Sequence, residues 1–170
     1  YELGRIFGES LNTLEQNPLK ILLLSEQNNL GSIMFSGLKS TLNSNKSTFF
    51  VSLEKKDLDR LLYEEVIKKS LIKDDINTII SLRIEDTILA AEALIELNLT
   101  NQISIIAFRD SPEIYTYIQK GLVHSVIVAD AFQMGFKAMQ SMIEYFSSGH
   151  TNDYIITDLH VLNSTTIKDF

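Results

Sequence analysis

Residues 77–108, NTIISLRIEDTILAAEALIELNLTNQISIIAF, decide the fold. The stretch opens with a short apolar run, 77–82, bounded by polar residues. That is the pattern of a strand buried on both faces. It closes on a second run of the same kind, 102–108. Between them, 86–97 is rich in Ala and Leu and too long for a strand, so it reads as a helix. Strand, helix and strand in this order make a parallel crossover unit.

The same alternation extends outward from this unit. Residues 20–25 (KILLLS) and 48–53 (TFFVSL) read as buried strands, with shorter candidates at 123–128 and 154–156. Helix-period stretches fill the gaps at 2–15, 31–42, 57–72, 112–120 and 131–146. The 57–72 helix places Leu58, Leu61, Leu62, Val66 and Ile67 on one face. Ser111-Pro112 supplies a cap and a first-turn proline for the 112–120 helix. The tail, 163–170, reads as a final strand edge or an exit. The expected fold class is therefore α/β: three layers, with a parallel sheet covered by helices on both faces.

In an open sheet of this kind, ligands sit beyond the carboxyl ends of the strands. The loops to inspect are 25–29, 53–55, 83–86, 109–111 and 129–131. They bring forward Asn28, Arg83, Glu85, Arg109 and Asp130. Amides, carboxylates and two arginines suit a hydroxylated or zwitterionic small molecule held in a cleft.

Each of these residues also has a bland reading. Arg109 is either a ligand contact or a solvated loop residue beside Asp110, which would cap the next helix. Arg83, Glu85 and Asp86 either grip a polar ligand or form a local ion pair at a helix N-terminus, where negative charge is favourable. The 25–29 loop is either a cleft mouth or simply solvated. Met134, Met139, Met142 and Phe146 form a stripe on the last helix, read as core packing or as an adaptable partner surface.

Bulk properties exclude several classes. The net charge of -7 repels phosphate backbones and anionic lipid, so direct nucleic-acid or membrane binding by this segment is not expected. No cysteine occurs, which removes disulfides, thiol catalysis and Cys-ligated zinc. His124, His150 and His160 match no metal spacing. No phosphate loop, nucleophile elbow or supported acid–base pair is present, so neither catalysis nor a cofactor is expected. No run reaches the ~18 apolar residues of a membrane span. The chain opens at Tyr1 without a Met or signal peptide and reads as an excised or processed piece.

A set of short motifs adds a resemblance. They are Tyr1-Glu2-Leu3-Gly4-Arg5, then Ile21-Leu22-Leu23-Leu24-Ser25 through Gly37, then Ile84-Glu85-Asp86-Thr87-Ile88-Leu89-Ala90-Ala91. Ile105-Ile106-Ala107-Phe108-Arg109-Asp110, Ile118-Gln119-Lys120-Gly121 and Met134-Gly135-Phe136-Lys137-Ala138 follow in order. Together they resemble the ribose- and sugar-binding type of periplasmic binding proteins, over nearly the whole chain. That type shares its Rossmann-like fold with the effector domains of lactose-repressor-type regulators.

The resemblance implies one lobe, 1–170, of a two-lobed solute-binding domain, with the return helix 131–148 belonging to or packing on the other lobe. It implies an extracytoplasmic sensor-kinase ectodomain or transport receptor that works by ligand-linked closure. A repressor's effector domain in the cytoplasm, or a degenerate lobe serving protein–protein interaction, are the alternatives. The expected partners are a small carbohydrate-like or acidic ligand and a partner protein or homodimer. The departures are specific. The family's sugar-gripping Arg falls on Met34, and its Asn ahead of the helix Asp falls on Glu85. Its hydroxyl-binding Asp falls on Arg109, and its Gln or Asn before the return helix falls on Ala129. Arg only donates where Asp only accepts, so the partner required at Arg109 is reversed.

Overall fold

The computed structural model describes residues 1–25, 30–54 and 58–167. Twelve elements follow in order: α1 (Glu2–Asn12), β1 (Leu19–Ser25), α2 (Leu30–Thr41), β2 (Thr48–Glu54), α3 (Arg60–Lys73), β3 (Thr78–Ser81), α4 (Ile84–Glu96), β4 (Ser104–Phe108), α5 (Pro112–Gln119), β5 (Ser125–Ala129), α6 (Ala131–Ser148) and β6 (Leu159–Asn163). The strands form one sheet in the order β2-β1-β3-β4-β5-β6.

Strands β1 to β5 run parallel, in a register that pairs Leu22 with Val51 and Ile79, and Ile80 with Ile106. Their side chains alternate between two cores, as the pleat requires. On one face Ile21, Leu23, Ile80, Ile106 and Ile127 pack with Phe7 and Leu11 of α1 and Met34 and Leu38 of α2. On the other, Leu22, Leu24, Ile79, Ile105 and Val126 pack with Tyr63 and Ile67 of α3, Leu89 and Leu94 of α4, and Ile114 and Ile118 of α5. Helices thus cover both faces, and the α/β reading holds.

Three local expectations are corrected. The buried face of α3 is Tyr63, Ile67 and Leu71, at i, i+4 and i+8, whereas Leu61 is 75% exposed. Of the expected face Ile67 is buried, but counting aliphatics passed over the large anchor of this helix, which is a tyrosine. The strand expected at 154–156 is absent, and β6 lies at Leu159–Asn163 instead. Tyr154, Ile155 and Ile156 are exposed, whereas Leu162 is buried against the sheet. Finally, β6 pairs antiparallel with β5, matching Ile127 to Val161, so the sheet is parallel except at this edge.

The crossing of α1 over α2 depends on glycine. A Cβ on Gly4 would lie 1.9 Å from the Met34 carbonyl oxygen, and one on Gly37 would lie 2.1 Å from that of Tyr1. Backbone meets backbone there, and Thr41 Oγ1 donates to the Arg5 carbonyl at 3.0 Å across the same contact.

From β1 the chain steps outward to β2, then returns across β1 to β3. The helices that follow β1 and β3, α2 and α4, therefore lie on opposite faces of the sheet. This is the topological switch point, the crevice that open α/β sheets use for ligands.

Candidate functional site

The turn from β3 into α4 lies at this switch point and is fixed from below. Ser81 is fully buried, and its hydroxyl donates to the Arg83 carbonyl at 3.0 Å. Thr87, also buried, donates to Ser81 Oγ and to the Arg83 carbonyl, both at 2.9 Å. These bonds satisfy polar groups that would otherwise be costly to bury. They also hold the Arg83 backbone in one place.

The Arg83 side chain is gripped between two carboxylates. Its Nη2 and Nε lie 2.7 and 3.2 Å from Glu85 Oε2. Its Nε is 3.8 Å from Asp86 Oδ2. The two acids differ in setting: the Asp86 side chain is fully buried, whereas that of Glu85 is 68% exposed. Asp86 therefore acts as an anchor beneath the guanidinium, and Glu85 faces outward. Nearby, burial and the Asp86 charge push the Tyr63 phenol far above its ordinary pKa, so it stays protonated.

Arg109 follows β4. Its backbone sits in the left-handed region, with φ of 72°. A side chain there is strained by on the order of 1 kcal/mol, because Cβ crowds the following carbonyl. The strand geometry holds it: Arg109 N–H donates to the Ile127 carbonyl of β5 at 3.0 Å. Its guanidinium lies 5.8 Å from the Phe108 ring centre, within cation–π range. Among the described residues this guanidinium forms no ion pair.

Arg83, Ile84, Glu85 and Arg109 line one cleft of about 290 Å³. Three of the residues singled out from sequence are thus neighbours at the carboxyl ends of β3 and β4. The others are not. Met34 is 4% exposed and belongs to the α1–α2 core, so its thioether faces packing rather than the cleft. Asp130 caps α6: its Oδ1 accepts from Gln133 N–H at 2.8 Å, and its Oδ2 lies 3.6 Å from His160 Nε2. Asn28 lies outside the described residues.

Asp110 does not cap α5. Ser111 does so, accepting from Ile114 N–H at 3.2 Å. Asp110 instead accepts from the Tyr115 hydroxyl; burial, together with this bond, raises that phenol's pKa to about 12. Sequence reasoning missed Ser81, Thr87 and Phe108, which position the two arginines. The spacing of two small hydroxyl residues around a strand-to-helix turn was the available signal.

Two more clefts, of about 260 and 350 Å³, open at the amino ends of the strands, around Ser104 and His124 and around Lys20 and Phe49. They lie on the side opposite the switch point. Among the described residues, no group of three or more His, Asp or Glu is placed to hold a metal ion. No helix among them is long and apolar enough to cross a membrane.

No family model and no curated protein matches the chain. Solved structures do. GanP, a glucose-galactose binding protein from Geobacillus stearothermophilus, superposes with a TM-score of 0.81 at 21% identity, over 97% of this chain and 60% of its own. AraP, an arabinose binding protein from the same organism, gives 0.83 at 16% identity, over 100% and 62%. A chain of the XylFII–LytSN complex gives 0.77 at 24% identity, over 96% and 59%. The chain has their fold. It spans about 60% of the length of these structures. The resemblance read from Ile84–Ala91 and Ile105–Asp110 therefore holds at the level of fold.

Proposed function

We propose that this chain is one lobe of a two-lobed domain that binds a sugar-sized solute outside the cytoplasm, and that it binds rather than catalyses. The observation that carries the reading is Arg109. A strained, left-handed backbone at a strand end holds its side chain in a cleft beside Arg83 and Glu85. Backbone strain is costly and collects where a side chain must be aimed. The fold's neighbours support a carbohydrate-like ligand, since GanP is a glucose-galactose binding protein and AraP an arabinose binding protein.

In this reading the second lobe closes over the switch point, and ligand favours the closed state by touching both lobes. The return helix α6 packs on that lobe. Its exposed apolar residues, Phe132, Phe136, Met139, Ile143 and Phe146, support this, since no residue of α6 is buried. An exposed stripe of this size marks an interaction surface.

The role is that of a sensor ectodomain or a transport receptor. A partner protein is supported by the neighbour found in a two-protein complex. The same apolar helix favours a second reading, a lobe that acts in protein interaction alone.

A thermal-shift screen of the intact protein against pentoses, hexoses, sugar acids and amino acids tests the first reading. One compound should stabilise clearly, by about 2.7 kcal/mol at a hundredfold excess over Kd. The Arg109→Ala variant should lose most of that shift. A screen in which no compound stabilises would remove the small-molecule reading and leave protein docking.

A further inference from the structure

We propose that the solute carries a carboxylate and that Arg109 is the residue that selects it. The inference rests on reading the cleft as the ligand site. It follows from a count of charges among the residues there. Arg83 is already engaged by Glu85, at 2.7 Å, and backed by the buried Asp86, at 3.8 Å. Arg109 is exposed and, among the described residues, forms no ion pair. Among the described residues, those lining the cleft bring two guanidiniums, one carboxylate and one isoleucine. Among the described residues, Arg109 is thus the cation of this cleft that no carboxylate pairs within 4 Å.

Guanidinium only donates hydrogen bonds, and its planar fork matches a carboxylate in a bidentate pair. A neutral sugar hydroxyl can accept from it but leaves the charge uncompensated when a closing lobe excludes water. The Phe108 ring, 5.8 Å from the guanidinium, helps hold it in place without neutralising it. Glu85 remains beside it as an outward-facing acceptor. It suits the hydroxyls of a sugar acid or the ammonium of an amino acid. Both sources share the carboxylate, and the experiment separates them.

The intact protein is titrated by calorimetry with paired probes differing by one carboxylate: galacturonate against galactose and glucuronate against glucose. Glutamate is the non-sugar arm. At least one carboxylate probe should bind tenfold or more tightly than its neutral partner, or glutamate should bind where the sugars do not. Binding should weaken as salt rises. Arg109→Gln should abolish the preference without changing the melting temperature of the free protein, since Gln keeps the same backbone strain.

A neutral sugar that binds as tightly as its acid, and is weakened by Arg109→Gln, overturns the carboxylate inference and keeps the cleft. Neutral binding indifferent to Arg109→Gln overturns both. So does failure of every probe to bind.

Discussion

Arg109 shows how much a single residue can carry at a strand end. Its φ of 72° is a conformation that glycine adopts at no steric cost and arginine does not. Arg109→Gly should therefore raise stability by up to about 1 kcal/mol in urea denaturation while removing ligand binding. A variant that lost both stability and binding would show that the side chain holds the fold together. The charge at this position was legible in the sequence, but its strain was not, because a positive φ depends on the loop's path from β4 into α5. Met34 shows the reverse. The alignment of motifs put it at a sugar-gripping position, yet helix packing turned it into the core, in the buried cluster that holds Phe7 and Leu38.

At the scale of elements, the α1–α2 crossing is the tightest constraint. Gly4→Ala and Gly37→Ala each place a Cβ against backbone carbonyls that cannot move aside. Each should destabilise the protein by about 3 kcal/mol or more, read as a lower urea midpoint with unchanged slope. Gly135→Ala on α6, where an added Cβ meets nothing within 4 Å, is the matching control and should not destabilise. The glycines were visible in the sequence, but the crossing was not, because it joins Gly4 to Met34 and Gly37 to Tyr1, far apart in the chain. The misplaced face of α3 has a related cause. Tyr63 has a polar tip, so an aliphatic count passes over it, yet its ring is fully buried.

At the scale of the whole molecule, the two faces of the sheet are well covered, whereas α6 stands apart from both cores. It is tied down locally. Asp130 caps it, Gln133 Nε2 donates to Asp158 at 3.0 Å, and Lys137 donates to the Ile156 carbonyl at 2.6 Å. The 170-residue chain on its own should self-associate through this stripe in a concentration-dependent way. Phe136→Glu with Met139→Glu should suppress that association in sedimentation experiments and change the urea stability by less than about 0.5 kcal/mol. A large loss of stability instead would mean that the stripe packs within this chain.

The order of strands and helices was determined by the sequence itself, because buried strands and crossover helices differ in length and period, and the 77–108 stretch displays both. The location of the cleft followed as well, since parallel topology sends every βα loop to one end of the sheet. Which residues meet in that cleft was decided only by tertiary structure. Arg83 and Arg109 are far apart in the chain and share a cleft because β3 and β4 lie side by side. The direction of β6 was also a tertiary decision, because a short half-buried strand pairs wherever an edge is free, and its own residues fit either orientation.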